Sequence, residues 1–169
     1  MTSFVDRLAA ARIGVTYNQY ANAPHLCDRL ARYLRERDDA PVLLVGEAAG
    51  YRGARVSGLP FTSERQLTGE GPAEATATIV HRVLAELGLD ETVLLWNVVP
   101  THPGTVTTNR RPSCAEIAGG IPFARELERG RRVVAVGRVA ERALRAPYIR
   151  HPSHGGANTF REALAAWST

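Results

Sequence analysis

Lysine is absent from this sequence of 169 residues, and all 21 basic side chains are therefore arginine. The planar guanidinium group matches the geometry of phosphate well, but chains without lysine also arise from genomes of high GC content. We favour the compositional explanation. The formal net charge of +4 permits binding to nucleic acid without demonstrating it.

Cysteine is also rare, since the chain contains only Cys27 and Cys114. The two lie far apart in the sequence, so neither a metal-binding pair nor a disulfide is indicated. We therefore expect a reduced, cytoplasmic protein that binds no metal and uses no cofactor.

Long hydrophobic runs are missing as well. The longest ones, such as Val93–Trp96 and Val133–Val136, are far too short to span a bilayer. The first residues, Met1–Arg7, lack a charged start followed by an apolar core, so we expect no secretory signal. These absences argue against a membrane protein.

The residues that are present predict an α/β fold. Apolar residues make up 44% and charged residues 22% of the chain, as in ordinary globular proteins, and the length favours one domain over residues 1–169. The predicted strands, rich in Val and Leu, are Val42–Gly46, Val93–Val98, Arg132–Val136 and Pro147–Arg150. The predicted helices are Asp6–Arg12, Pro24–Arg37, Ala73–Leu87, Ala115–Glu128, Arg138–Leu144 and Asn158–Trp167. This alternation predicts a single-domain three-layer α/β/α sandwich around a central four-stranded parallel sheet.

Ligands bind beyond the carboxyl ends of the strands in such sheets. The loops after Val45, Trp96, Val136 and Ile149 should therefore hold the site. Phe61 offers a stacking face there, Asn97 carries a carbonyl and an amide on one short arm, and His151 can donate to a developing oxyanion. Three arginines, Arg110, Arg111 and Arg150, could hold phosphates.

Each of these signals has an ordinary explanation when it is taken alone. Gly46 could belong to a tight turn after a strand, Phe61 to the core, and His151 to a satisfied structural contact. The cluster Tyr17, Asn18 and Tyr20 near the start of the chain is interpreted as packing.

Several segments, taken in order, nevertheless resemble the motifs of the uracil-DNA glycosylase superfamily. The first motif, in its GEAPG form, is similar to Val45–Gly50, and the G-x-P-F segment is similar to Gly58–Phe61. The strand-end asparagine is similar to that of Trp96–Pro100, and the H-P-S motif is similar to His151–Ser153. A further segment, N-R-x-P…E-I, is similar to Asn109–Pro112 with Glu116 and Ile117.

The resemblance implies a DNA glycosylase that flips a deaminated base out of the stack and hydrolyses its N-glycosidic bond, with DNA as partner and the protein acting as a monomer. It implies that His151 and Glu47 are catalytic. The implied base-binding residues are Phe61, Asn97, Gly46 and Ala48. The implied DNA-binding residues are Arg110, Arg111, Ser153, His154 and Gly155.

The sequence also departs from the family pattern. Ala48 replaces the aspartate that orients water in the uracil-specific branch, and Ala49 replaces a proline. Two cysteines cannot hold the cluster of the iron–sulfur branch, and the loop after His151 lacks a bulky apolar wedge. Members that become covalently attached to uracil carry a histidine in an extra arginine-rich loop, which has no clear counterpart here, although His102 and His154 lie near the site in sequence.

Two other hypotheses therefore stay open. In the first hypothesis, the protein has the same fold but does not turn over, and it binds or covalently traps a damaged base. Ala48 favours this hypothesis. The second is a hydrolase of free nucleosides or nucleotides that uses the same pocket, although the phosphate-cradling motifs G-x-G-x-x-G and GK[ST] are absent.

Overall fold

Four parallel strands form the centre of the protein, in the order β2–β1–β3–β4. They are β1 (Val42–Ala48), β2 (Val93–Val99), β3 (Arg132–Val136) and β4 (Tyr148–Ile149). The computed structural model describes residues 2–167, so the ends of the predicted domain, residues 1 and 169, lie outside the described residues. The predicted four-stranded parallel sheet is confirmed.

Helices cover both faces of this sheet, as predicted. They are α1 (Phe4–Ala10), α2 (Pro24–Glu36), α3 (Ala54–Ser57), α4 (Glu64–Thr68), α5 (Ala75–Leu87), α6 (Cys114–Glu128), α7 (Arg138–Leu144) and α8 (Ala157–Trp167). Leu43 and Val45 of β1 belong to a core shared with α1, α2, α6 and α7. Leu44, between them, belongs to a second core shared with α5 and α8. Successive strand residues point to opposite faces, and the two cores give the three layers.

The boundaries of α1 and β1 differ from the predicted ones for identifiable reasons. Helix α1 begins at Phe4 because Ser3 and Asp6 form a reciprocal capping box in front of it. Strand β1 continues past Gly46 because its pairing with β2 extends to Ala48 and Val99. Glu47 and Ala48 are therefore strand residues, held by the sheet instead of by a loop.

Strand β4 and the connection after β1 also differ from the prediction. Tyr148 and Ile149 alone pair with β3, so β4 is a two-residue edge strand. The short helices α3 and α4, which were not predicted, are each ended by a glycine with positive φ, Gly58 at 73° and Gly69 at 81°. Within residues 2–167, no helix is long and apolar enough to cross a membrane.

Candidate active site

A pocket of about 290 Å³ opens at the carboxyl edge of the sheet, where the sequence predicted the site. It brings together eight of the predicted site residues: Glu47, Ala48, Phe61, Asn97, Arg110, His151, Ser153 and His154. The other three, Gly46, Arg111 and Gly155, do not line the pocket. The strand order explains why these residues meet. Strand β1 lies in the sheet between β2, which carries Asn97, and β3 and β4, and His151 follows β4.

Gly46 lies against two side chains that line the pocket, those of Phe61 and Asn97. A Cβ atom at this position would overlap the ring of Phe61 and lie 3.0 Å from Oδ1 of Asn97. The missing side chain therefore lets an aromatic ring and an amide approach the same backbone unit. Phe61 adopts a positive φ of 51°, a conformation that costs energy for a residue with a side chain and places the ring against β1.

Asn97 is buried, with 4% of its surface exposed. It lies on β2 opposite Gly46, and its side chain lines the pocket. No residue in the described part of the chain hydrogen-bonds to its side-chain amide. Among the described residues, the fully buried side-chain atoms without a partner are Gln19 Oε1 and Trp96 Nε1. The amide of Asn97 is therefore accessible from the pocket and presents a donor and an acceptor to whatever occupies it.

His151 follows β4 and is fixed by the residue two positions later. The backbone amide of Ser153 lies 3.2 Å from Nδ1 of His151, and the Ser153 hydroxyl lies 2.7 Å from the same nitrogen. An amide N–H only donates, so Nδ1 accepts and the ring proton of neutral His151 is on Nε2. Burial lowers the pKa of His151, and the nearby charge of His154 lowers it further, so the neutral form is favoured.

Two carboxylates line the pocket. Burial raises the pKa of Glu47, and the positive charge of Arg111 opposes this rise. Burial also raises the pKa of Glu74, which has no opposing cation. Glu74 was not predicted as a site residue, because the sequence placed it in the first turn of the helix Ala73–Leu87, where a glutamate is usually solvated; in the structure it precedes α5 as its N-cap residue.

Glu74 does not cap its helix. It occupies the N-cap position of α5 without a side-chain capping hydrogen bond. Its carboxylate instead lies over the backbone of Gly50 and Gly53, where a Cβ atom at either glycine would overlap it. The two glycines are the only available signal in the sequence that something packs closely on this loop.

Arg110 is held by a buried carboxylate. Its two terminal nitrogens donate to the carboxylate oxygens of Glu116 at 2.6 and 2.8 Å, and the Ser113 amide donates to Glu116 at 2.8 Å. The Arg110 hydrogen bonds and the Ser113 amide outweigh burial and lower the pKa of Glu116 to about 2. The guanidinium of Arg110 therefore fixes the loop after β2 and is less available to phosphate than the sequence indicated.

A family model of the uracil DNA glycosylase superfamily matches residues 35–168. The chain belongs to the uracil-DNA glycosylase superfamily, a family of DNA glycosylases. Among solved structures it is similar to the wild-type SMUG2 of Pedobacter heparinus, with a TM-score of 0.70 and 13% sequence identity over 99% of this chain and 97% of that chain. At this identity the similarity concerns the fold. No match to a curated protein was found.

The loop after His151 carries no apolar side chain at its tip. His154 and Gly155 are exposed and both have positive φ, 52° and 75°. A Cβ atom at Gly155 would meet no neighbour within 4 Å. The tip of this loop therefore offers backbone groups and an imidazole, and no apolar side chain, to a partner.

His102, a candidate for a covalent role on sequence grounds, is placed differently. It is fully buried, and its two ring nitrogens each lie 2.7 Å from a backbone carbonyl oxygen, of Ala49 and of Thr105. Both nitrogens are thus engaged, and the ring does not line the pocket. Within the described residues, no group of three or more His, Cys, Asp or Glu side chains could hold a metal ion.

Proposed function

We propose that this protein is a monofunctional DNA glycosylase that hydrolyses the N-glycosidic bond of uracil, or of another deaminated base, in DNA. The observation that carries the proposal is Asn97, a buried residue that lines the pocket with an unpartnered donor and acceptor. A flipped uracil has the complementary pair, because its O4 accepts and its N3–H donates.

The ring of Phe61 would bind one face of the base. Because Gly46 has no side chain, this ring and the amide of Asn97 lie close together. The ring would stack on a face of the base, and the amide would hydrogen-bond to the edge of the same base. Base–aromatic stacking is worth about 1–3 kcal/mol, which helps to offset the cost of flipping.

His151 would stabilise the leaving group. When the C1′–N bond breaks, both electrons stay with the base, and negative charge develops on its O2 atom. Neutral His151, with Nδ1 occupied by Ser153, has Nε2–H free to donate to that oxygen. One donor aimed at a developing oxyanion is worth about 2.7–4 kcal/mol, or 100- to 1,000-fold in rate.

Glu47 would serve the water that completes the hydrolysis. The water oxygen bonds to C1′ of the sugar cation, and its proton passes to the Glu47 carboxylate. The base anion is protonated by solvent, so the products are the free base and an abasic site. Burial raises the pKa of Glu47, although the charge of Arg111 opposes the rise, and a raised pKa makes the ionised carboxylate a better proton acceptor. Ala48 supplies no carboxylate that could take this role.

DNA phosphates would be contacted around the mouth of the pocket. Arg111, Ser153, His154 and Gly155 are the groups that we assign to this role. Arg110 contributes mainly by holding the loop through Glu116.

Excision from labelled oligonucleotides tests the proposal. The substrates carry uracil (single-stranded, or paired with G or A), hypoxanthine or xanthine. Alkaline cleavage reveals abasic sites, and a denaturing gel reveals covalent complexes. We expect release of at least one of these bases and its loss in Asn97→Ala. Asn22→Ala, an exposed position outside the pocket, is the matched control.

Two results would contradict the proposal. If the folded wild-type protein releases no base from any substrate, it does not act as a glycosylase on these lesions. A covalent or tight complex without base release would instead support the hypothesis of a reader or trap.

A further inference from the structure

Three side chains lie next to residues that line the pocket, and we call them the rim patch: Tyr17, Arg55 and Val106. Val106 is 66% and Tyr17 54% exposed, and these are two of the four large exposed hydrophobic residues within residues 2–167. Tyr17 was interpreted as packing together with Asn18 and Tyr20. Tyr20 is indeed buried, and Asn18 donates to backbone carbonyls at the end of α1, but Tyr17 faces outward.

Tyr17 is fixed next to the pocket by the loop that follows β2. Its amide donates to the carbonyl of His102 at 2.8 Å, and the His102 amide donates to the Tyr17 carbonyl at 2.9 Å. Pro103, the next residue, lines the pocket. The position of the ring is therefore set by a short antiparallel bridge at the edge of the pocket.

Arg55 covers one face of the Tyr17 ring, with the guanidinium carbon 5.1 Å from the ring centre. It forms no ion pair with any described residue. Ala54, the preceding residue, lines the pocket. Arg55 thus adds an uncompensated positive charge to the patch on the same side of the pocket mouth.

Val106 lies in the turn between Pro103 and Asn109. The Thr105 amide donates to the Thr108 carbonyl at 3.1 Å and closes the turn. Pro103 and Asn109, on either side of this turn, both line the pocket. An apolar side chain is therefore displayed between two pocket-lining residues.

The chemistry of the rim patch fits a single strand of DNA. Surfaces that bind single strands combine aromatic rings, on which bases stack, with positive charges along the backbone. Apolar side chains also press against bases next to a distorted step. The loop after His151 carries no such apolar side chain, so the rim patch is where the fold displays one.

We propose that the rim patch binds the DNA strand beside the flipped nucleotide. Tyr17 stacks on a neighbouring base, Arg55 contacts a phosphate, and Val106 packs against the base next to the gap. This inference rests on the proposed function for the identity of the partner, but it concerns strand binding and not bond cleavage.

Fluorescence anisotropy with an undamaged, labelled single-stranded oligonucleotide tests the proposal without catalysis. We expect Tyr17→Ala to weaken binding about 10-fold, within the range measured for loss of one stacked base. Tyr17→Phe keeps the ring and should stay within twofold of the wild type. Arg55→Gln should reduce the salt dependence by about one phosphate contact, whereas Arg32→Gln, on the exposed surface of α2, should not.

Three results would overturn the proposal. The first is that Tyr17→Ala binds the oligonucleotide within twofold of the wild type, and the second is that the wild type does not bind it at low salt. The third is that the wild type is a dimer and Tyr17→Ala is a monomer. The last result would assign the patch to contact between copies of the chain. Weakened binding by Tyr17→Ala in a protein that excises no base would support the rim patch and contradict the proposed chemistry, so the two can fail separately.

Discussion

The backbone amide of Ser153 points at Nδ1 of His151 from 3.2 Å, and this contact determines which ring nitrogen carries the proton. A carbonyl at the same place would require the opposite tautomer. The position of one amide in the loop after β4 thus leaves Nε2–H as the donor. The mechanism depends on this contact, because a neutral ring without a proton on Nε2 could not donate to the leaving base.

The pH dependence of excision should follow from this arrangement. The pKa of His151 is below its usual range and that of Glu47 above it. His151 therefore stays neutral, and Glu47 ionised, at neutral and alkaline pH. As the pH falls, protonation removes the free carboxylate of Glu47. We expect a single-turnover rate that declines on acidification, with a midpoint above the ordinary glutamate value of about 4.3, because the pKa of Glu47 is raised. A rate that rises on acidification would contradict the assigned protonation states.

Gly46→Ala should abolish activity while the protein still folds. The added Cβ atom would overlap the ring of Phe61, so the ring, which lines the pocket, has to move. We expect at least a 100-fold loss in kcat/KM, because displacements of about 1 Å cost that much in preorganised sites. Gly130→Ala, an exposed position where a Cβ atom would meet no neighbour within 4 Å, controls for glycine replacement, although its positive φ adds modest strain. Full activity of Gly46→Ala would show that Phe61 and Asn97 do not act together.

Glu116→Gln should destabilise the fold by about 2 kcal/mol, since it removes charge-assisted hydrogen bonds to Arg110. The folded pKa of Glu116 is lowered to about 2. Its contribution is therefore present above the unfolded value of about 4.3 and is lost as the pH falls towards 2. Urea unfolding at pH 7 and pH 3 measures this, and a smaller effect at pH 3 is expected. Equal effects at both pH values would contradict the lowered pKa.

Glu74→Gln should have the opposite effect and stabilise the protein at neutral pH. Burial raises the pKa of Glu74, so the folded state resists its ionisation. The penalty is present at high pH and disappears as the pH falls through the raised folded value. We expect a gain of about 1 kcal/mol at pH 8 that shrinks by pH 5. Glu70→Gln, at an exposed position in the same connection, should change stability little.

The sheet and the pocket could be predicted from the sequence because their signals are local. Runs such as Val42–Gly46 and Val93–Val98 read as buried strands, and parallel strands bring their carboxyl ends to one edge. Asn97 and His151 follow directly from that rule and from the motifs that surround them.

The remaining features depend on contacts between distant residues. Glu74 and Gly50 meet only in the folded chain, and so do Arg110 and the buried Glu116. The sequence predicts that Tyr17 packs inside the protein, whereas in the structure it forms a backbone bridge to His102 and its side chain is exposed. The residues between β1 and α5 carry no strong periodic pattern, so α3 and α4 were not predicted.

The most direct test of the account is the single-turnover rate of base release, by the wild type and by His151→Ala, from an oligonucleotide that carries the deaminated base released in the excision assay. His25→Ala, on the exposed surface of α2, is the matched control. The account predicts release of this base by the wild type and by His25→Ala. It also predicts a rate 100- to 1,000-fold lower in His151→Ala, with unchanged binding of the oligonucleotide. A His151→Ala rate within threefold of the wild type, or no release by folded wild-type protein, would contradict it.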